Sequence, residues 1–175
     1  MPCPSAFLGE EMTHDADLNT NDIVKSGEDA SAQVTGGFRH AVATTTSGSF
    51  AVQLQAGELQ WALDEPVSMG GNGAAPDPVT AFLGALCGCL LISLQITARA
   101  RQVPIVGATM SARANEKGFV KTLAVDLTVY SDAPEEKLRT VVERAEKGCY
   151  IKGLLKESIE YRLDLTIQPA GDWQA

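Results

Sequence analysis

Apolar and polar positions alternate with a period of two in several short runs of this chain, and each run predicts a half-buried strand. "AQVTGGFRHAVAT", from Ala32, reads as a hairpin turning at Gly36-Gly37. "SFAVQLQ" and "ELQWALD" follow, parted by Ala56-Gly57, and extend it into an antiparallel meander of about four strands. "DEPVSMGGNGAAPDP" is too dense in Gly and Pro for either element and predicts a loop. The pattern then changes. From Pro78 to about Arg101 the chain is nearly all apolar, which predicts a long central helix that Pro104 stops from continuing.

The second half returns to alternation. "IVGATMSARA" and "FVKTLAVDLTVY" flank the turn "NEKG", with Leu123, Val125, Leu127 and Val129 on one face. "SDAPEEKLRTVVERAEKG" predicts a helix opened by Pro134, Glu135 and Glu136, closed by Gly148, with Leu138, Val141, Val142 and Ala145 as its inner stripe. "SIEYRLDLTIQ" is a last strand, with Ile159, Tyr161, Leu163, Leu165 and Ile167 on one side. The fold class is α+β: antiparallel sheet, central helix, more sheet, second helix, final strand. Residues 1–30 lack periodicity and are read as a flexible acidic arm, leaving 31–175 as one domain.

Charge narrows the partners. The net charge of −8 argues against nucleic acid, and most of it lies in the arm, where seven acids face only Lys25. The uncharged run from Pro78 to Thr97 approaches spanning length, but Gly84, Gly88, Thr80, Ser93, Gln95 and Thr97 dilute it, so a buried core helix is expected and not a membrane segment. Ala81 with Ala85, and Gly84 with Gly88, recur at helical spacing and predict that another helix crosses there. The first residues show neither the basic start nor the apolar stretch of a secretory signal, and four cysteines do not make a disulfide scaffold. A cytoplasmic chain with reduced thiols is the expectation.

The candidate chemistry lies in "FLGALCGCLLISL". Cys87 and Cys89 stand about 200° apart around a helix and cannot easily bridge to each other. Both suit a core as small hydrophobes. Zinc is disfavoured, because only His14 and His40 are present and Cys-x-Cys in mid-helix lacks a ligand loop. A redox pair needs a sulfur from elsewhere, and Cys149, at a helix end, is the natural candidate. A reactive thiol also needs a lowered pKa. Cys89 lies about three turns into its helix, beyond the dipole's reach, so a cation is expected from another element. The meander's only arginine is Arg39.

Several stretches together resemble the OsmC/Ohr family, whose best-known members reduce organic hydroperoxides with two cysteines. "LDEPVSMGGNGAAPDP" is similar to the family's loop before the central helix, and "FLGALCGCL" to the segment that carries its reactive cysteine, in a register that selects Cys89. "ERAEKGCYIKGLL" resembles the second-cysteine segment and "VTGGFRHA" the early strand pair. The resemblance spans about residues 32–168. It implies the OsmC-like fold, with sheets packed around the central helix in an intertwined homodimer whose sites lie at the subunit interface. It also implies a catalytic set of Cys89, Cys149 and Arg39, with Cys149 resolving the oxidised Cys89. The substrate would be an organic hydroperoxide and the reductant an external dithiol of the lipoyl type, with no bound cofactor and no metal. Helical spacing adds Phe82, Leu86 and Leu90 as an apolar substrate lining. The chain departs from the family pattern where Val79 and Thr80 follow Pro78 in place of a glutamate that holds the arginine, and where Tyr150 follows Cys149 in place of proline. Two other functions stay open: a binding protein for a small apolar ligand on the same scaffold, and a different thiol reaction such as sulfur transfer or sensing.

Overall fold

The computed structural model describes residues 39–115 and 118–174. The predicted strand before Gly36-Gly37 and the acidic arm lie outside the described residues. Residues 39–44 with 53–61 belong to one compact unit, and residues 45–52 with those from 62 onward to a second.

β1 (Val42–Thr45), β2 (Val52–Ala56) and β3 (Leu59–Leu63) form a three-stranded sheet in the order β1-β2-β3, so three of the meander's strands are described. Gly57, at φ +59, makes the tight link between β2 and β3 that a side chain would strain. The loop that follows is built around one acid. Asp64 is 2% exposed and its carboxylate accepts the N–H groups of Glu65, Asn72 and Ala74 at 2.9, 3.0 and 3.2 Å. The loop was expected to hold no helix, yet Val67–Met69 closes a short 3-10 turn. Such a turn needs only three residues and no periodicity.

α1 (Pro78–Ala100) runs within one residue of its expected length. Its Leu86, Leu90, Leu94 and Ala98 recur every fourth residue and are all buried. Beneath them lies the second sheet, β4 (Gly107–Ala114), β5 (Thr122–Tyr130) and β6 (Glu160–Gln168), in the order β4-β5-β6. β5 turns Leu123, Val125, Leu127 and Val129 inward, each at most 2% exposed. α2 (Glu135–Lys147) packs Leu138, Val141, Val142 and Ala145 into the same core as Leu94, Leu127 and Val129.

Two expectations need correcting. The sheets were expected to be antiparallel throughout. β4 and β5 are antiparallel, with Gly107 opposite Tyr130 and Ala114 opposite Leu123, but β6 runs parallel to β5 from Thr122↔Glu160 to Tyr130↔Gln168. The cause is topological: α2 carries the chain back across the sheet, so β6 starts from the same end as β5. α1 is a core helix on one face, and the helix expected to cross it at its small residues is the second expectation to correct. α1 is long and apolar enough to cross a membrane, its leucine face is buried in this fold, and Ile92 and Ile96 are 63% and 64% exposed on another face. A Cβ built on Gly84 or Gly88 meets no atom within 4 Å, so no element among the described residues crosses the helix there.

Candidate functional site

α1 is held at its start by Asp77. This N-cap carboxylate accepts from the N–H groups of Val79 and Thr80 at 2.9 and 3.0 Å, and from Thr80 Oγ1 at 2.6 Å. The Thr80 hydroxyl, followed by its amide, holds the Asp77 carboxyl below the usual carboxylate range. The carboxylate nearest the helix start is therefore engaged with its own helix, and Val79 and Thr80 supply no other.

Three turns on, Cys89 is half-buried on the flank of the leucine face. α2 ends at Lys147, and Gly148 leads into Cys149, which is 3% exposed and packs with Leu86, Leu90, Leu123 and Val125. Cys149 is the N-cap of a one-turn helix, α3 (Tyr150–Gly153), which the hydrophobic pattern missed because four residues carry no period. Its Sγ accepts the Lys152 N–H at 3.4 Å.

Cys89 packs against the core cluster that contains Cys149, and neither is in a disulfide. Their surroundings push them apart. Burial raises the Cys89 thiol, but the Ile151 amide, the Cys149 thiol, the Tyr150 amide and the Ser93 hydroxyl outweigh it, so its pKa falls below that of an ordinary cysteine. Burial raises the Cys149 thiol, the Lys152 amide opposes this, and the hydrogen bond and charge of Cys89 add to the rise. Of the two thiols, Cys89 is the more acidic and Cys149 the less. The Cys87 thiol is half-buried, and burial raises its pKa.

The lowering groups on Cys89 are amides and hydroxyls from its own helix and from α3, whereas a distant cation was expected. Arg39, three residues before β1, lies in the other compact unit. Phe82 faces a groove of about 550 Å³ that Val79, Leu83, Leu123, Leu154 and Leu155 also line. Leu86 and Leu90, expected beside Phe82, are 0% and 2% exposed and form core under β5. The helical stripe is continuous, but only its first turn is left uncovered.

Sequence reasoning also missed three residues around Cys149. Lys152 Nζ donates to Glu146 Oε1 at 2.9 Å and stands 4.7 Å from the centroid of the Tyr161 ring. The Tyr161 hydroxyl is buried without a hydrogen-bond partner, and burial, then the nearby Glu146 carboxylate, keep its proton firmly on. The signal available was a lysine three residues after the cysteine and an acid three before it. Among the described residues there is no group of three or more His, Cys, Asp or Glu able to hold a metal ion.

The family model described as OsmC-like protein matches residues 70–164, which spans most of the loop, α1, β4, β5, α2, the first half of β6 and both thiols. An uncharacterized protein of Methanocaldococcus jannaschii is 29% identical over 102 residues, a match covering 53% of each chain, so the likeness extends over about half of that relative's length. Among solved structures, an OsmC-like protein from Mycoplasma pneumoniae superposes with a TM-score of 0.68 at 15% identity, over 77% of this chain and 99% of that one. An organic hydroperoxide resistance protein OsmC from Legionella pneumophila gives 0.58 at 20% identity, over 74% and 96%. At these identities the structures speak for a shared fold.

Proposed function

The chain belongs to the OsmC-like protein family, and on that premise we propose that it is a thiol-dependent peroxidase reducing organic hydroperoxides. The observation that carries this is the pairing of a depressed Cys89 thiol with a raised Cys149 thiol from a different element. A peroxidase needs one sulfur as thiolate to attack and a second kept protonated until the first is oxidised. Hydroperoxide resistance in the names of the Legionella pneumophila and Elizabethkingia anophelis structures points the same way.

In this mechanism the Cys89 thiolate attacks the distal peroxide oxygen and the O–O bond breaks. The alkoxide takes a proton and leaves as the alcohol, and Cys89 becomes a sulfenic acid. The Cys149 sulfur then displaces its hydroxyl as water to form the Cys89–Cys149 disulfide. An external dithiol reduces it, giving up two electrons and two protons as it closes its own disulfide. The groove at Phe82 offers an apolar approach that favours an organic substituent over hydrogen peroxide. The exposed stripe of Ala85, Ile92 and Ile96 beside the open Gly84 and Gly88 suits a second copy of the chain, in a homodimer. Arg39 is the remaining candidate for the peroxide oxygens.

The test is consumption of cumene hydroperoxide and hydrogen peroxide by reduced protein with a dithiol, beside Cys89→Ser and Cys149→Ser. Turnover of the organic peroxide that Cys89→Ser abolishes supports the reading. No turnover above that variant shifts the weight to the second reading, a protein that binds a small apolar ligand. That reading draws on the engagement of Asp77 with its own helix, which leaves no carboxylate there to hold an arginine.

A further inference from the structure

Cys149 sits between two opposite charges. Glu146 precedes it by three residues in the last turn of α2, and Lys152 follows by three on α3. Their side chains meet at 2.9 Å and are only 20% and 30% exposed. By contrast, the ion pairs Arg113–Asp126, Arg139–Glu135 and Arg162–Asp164 join side chains that are each at least 42% exposed. The Lys152 ammonium also rests over the ring of Tyr161 on β6. The same residue's N–H donates to Cys149 Sγ, and the Gly153 N–H bonds the Cys149 carbonyl at 3.0 Å. Lys152 thus touches the thiol through its backbone and ties the turn to α2 and β6 through its side chain.

A helix of one turn does not hold itself, because nucleation costs more than its few bonds return. A disulfide, however, needs the two Cα atoms within about 7 Å and the Cβ vectors converging. Something beyond α3 must fix the Cys149 turn. We infer that Glu146 and Lys152, closed against the Tyr161 ring, are positioning residues that set how often Cys149 sits within bonding reach of Cys89. This rests on the reading that these two thiols join as a disulfide. Loss of the clasp lets the turn sample orientations that carry the sulfur away from α1, and the effective concentration of one thiol at the other falls.

The experiment equilibrates the full chain in buffers of reduced and oxidised glutathione. Cys89 and Cys149 give two electrons and two protons to oxidised glutathione, yielding the protein disulfide and two reduced glutathiones. Trapping free thiols by alkylation and mapping the disulfide by mass gives the effective concentration. Lys152→Met and Glu146→Gln are expected to lower it on the order of tenfold, between the effects of an exposed and a buried ion pair. Lys152→Arg should recover most of the loss, and Arg139→Gln, which removes an exposed pair on α2, should change nothing. A purely structural role would lower the urea midpoint of Lys152→Met and Glu146→Gln while leaving the thiol equilibrium at its wild-type value, and that result overturns the inference. Should Lys152→Met not fold, Glu146→Gln and Lys152→Arg carry the same comparison. Absence of any Cys89–Cys149 disulfide in the wild type would sink the peroxidase reading itself. Formation of that disulfide with equal values in all variants sinks the clasp alone.

Discussion

Replacing Asp64 with Ala removes the acceptor that organises the loop before α1. Three backbone N–H groups, on Glu65, Asn72 and Ala74, point at this one carboxylate from positions up to ten residues away. A hydrogen bond to a charged group contributes about 1.5–3 kcal/mol, so three represent roughly 4–9 kcal/mol before opposing costs. Taking a carboxylate to 2% exposure returns several kcal/mol of that. We expect Asp64→Ala to cost about 3 kcal/mol and Asp64→Asn about half as much, since the amide keeps one acceptor oxygen and turns N–H groups toward donors. With an m-value of about 1.5 kcal/mol/M, the urea midpoint of the alanine variant should fall by roughly 2 M. The assay is urea unfolding followed by far-UV circular dichroism, with wild type and both variants side by side. Below the transition the helical signal should match wild type, because α1 keeps its own Asp77 cap. A loss under about 1 kcal/mol for Asp64→Ala would refute the reasoning, since it would mean the three N–H groups find water or other partners at no cost.

Three further outcomes follow from the site. The rate of Cys89 alkylation by iodoacetamide should inflect at a pH below that of free cysteine, since the thiolate persists to lower pH when its pKa is depressed; Cys149→Ala removes one donor and should move the inflection upward. An inflection at or above that of free cysteine would contradict the hydrogen-bonding account. Tyr161→Phe deletes a buried hydroxyl that has no partner, so stability should stay level or rise by up to about 1 kcal/mol in urea unfolding, and a loss beyond that would show a bond the geometry lacks. Gly88→Leu meets open space within the chain and replaces the poorer helix former, so it should leave the monomer's stability level or raise it by up to about 1 kcal/mol while weakening self-association measured by sedimentation; unchanged association would remove this face from the dimer reading.

Much of this arrangement was legible before any coordinates. α1 announced itself through an apolar run bounded by Pro78 and Pro104, and β5 through the strict alternation from Leu123 to Val129. Strand direction was not legible, because alternation is the same whichever way a strand runs; only the α2 crossover makes β6 parallel. Helical spacing grouped Phe82, Leu86 and Leu90 correctly on one stripe, yet spacing carries no information on where a sheet's cover ends, and that boundary separates a groove residue from two core residues. Cys149 was singled out as a sulfur at a helix end, and likeness to a family segment added to that, whereas Lys152, Glu146 and Tyr161 were not singled out. Tyr161 reads as one more inward residue of an alternating strand, and an acid and a base six residues apart fit no helical pairing rule. They meet only because the chain turns at Gly148 and Cys149 between them.

The same turn bears on how a thiol site can work where Val79 and Thr80 stand in place of a glutamate. A thiolate three turns into an apolar helix gains nothing useful from the dipole. Cys89 instead takes its stabilisation from the amides of Tyr150 and Ile151 and from the Cys149 thiol, all delivered by one short segment. That segment therefore has two duties: it brings the second sulfur and it lowers the pKa of the first. The two are coupled through geometry, since any displacement of α3 withdraws the amides and the Cys149 thiol together. Under the proposed function, oxidation of Cys89 would remove the thiolate that the amides favour, and a disulfide would take up the Cys149 sulfur that now accepts the Lys152 N–H. The reduced arrangement is thus the one the hydrogen bonds support. Under the proposed function, regeneration by a dithiol would restore the bonds to both sulfurs at once, so the contacts that lower the Cys89 pKa would also favour the restoring step.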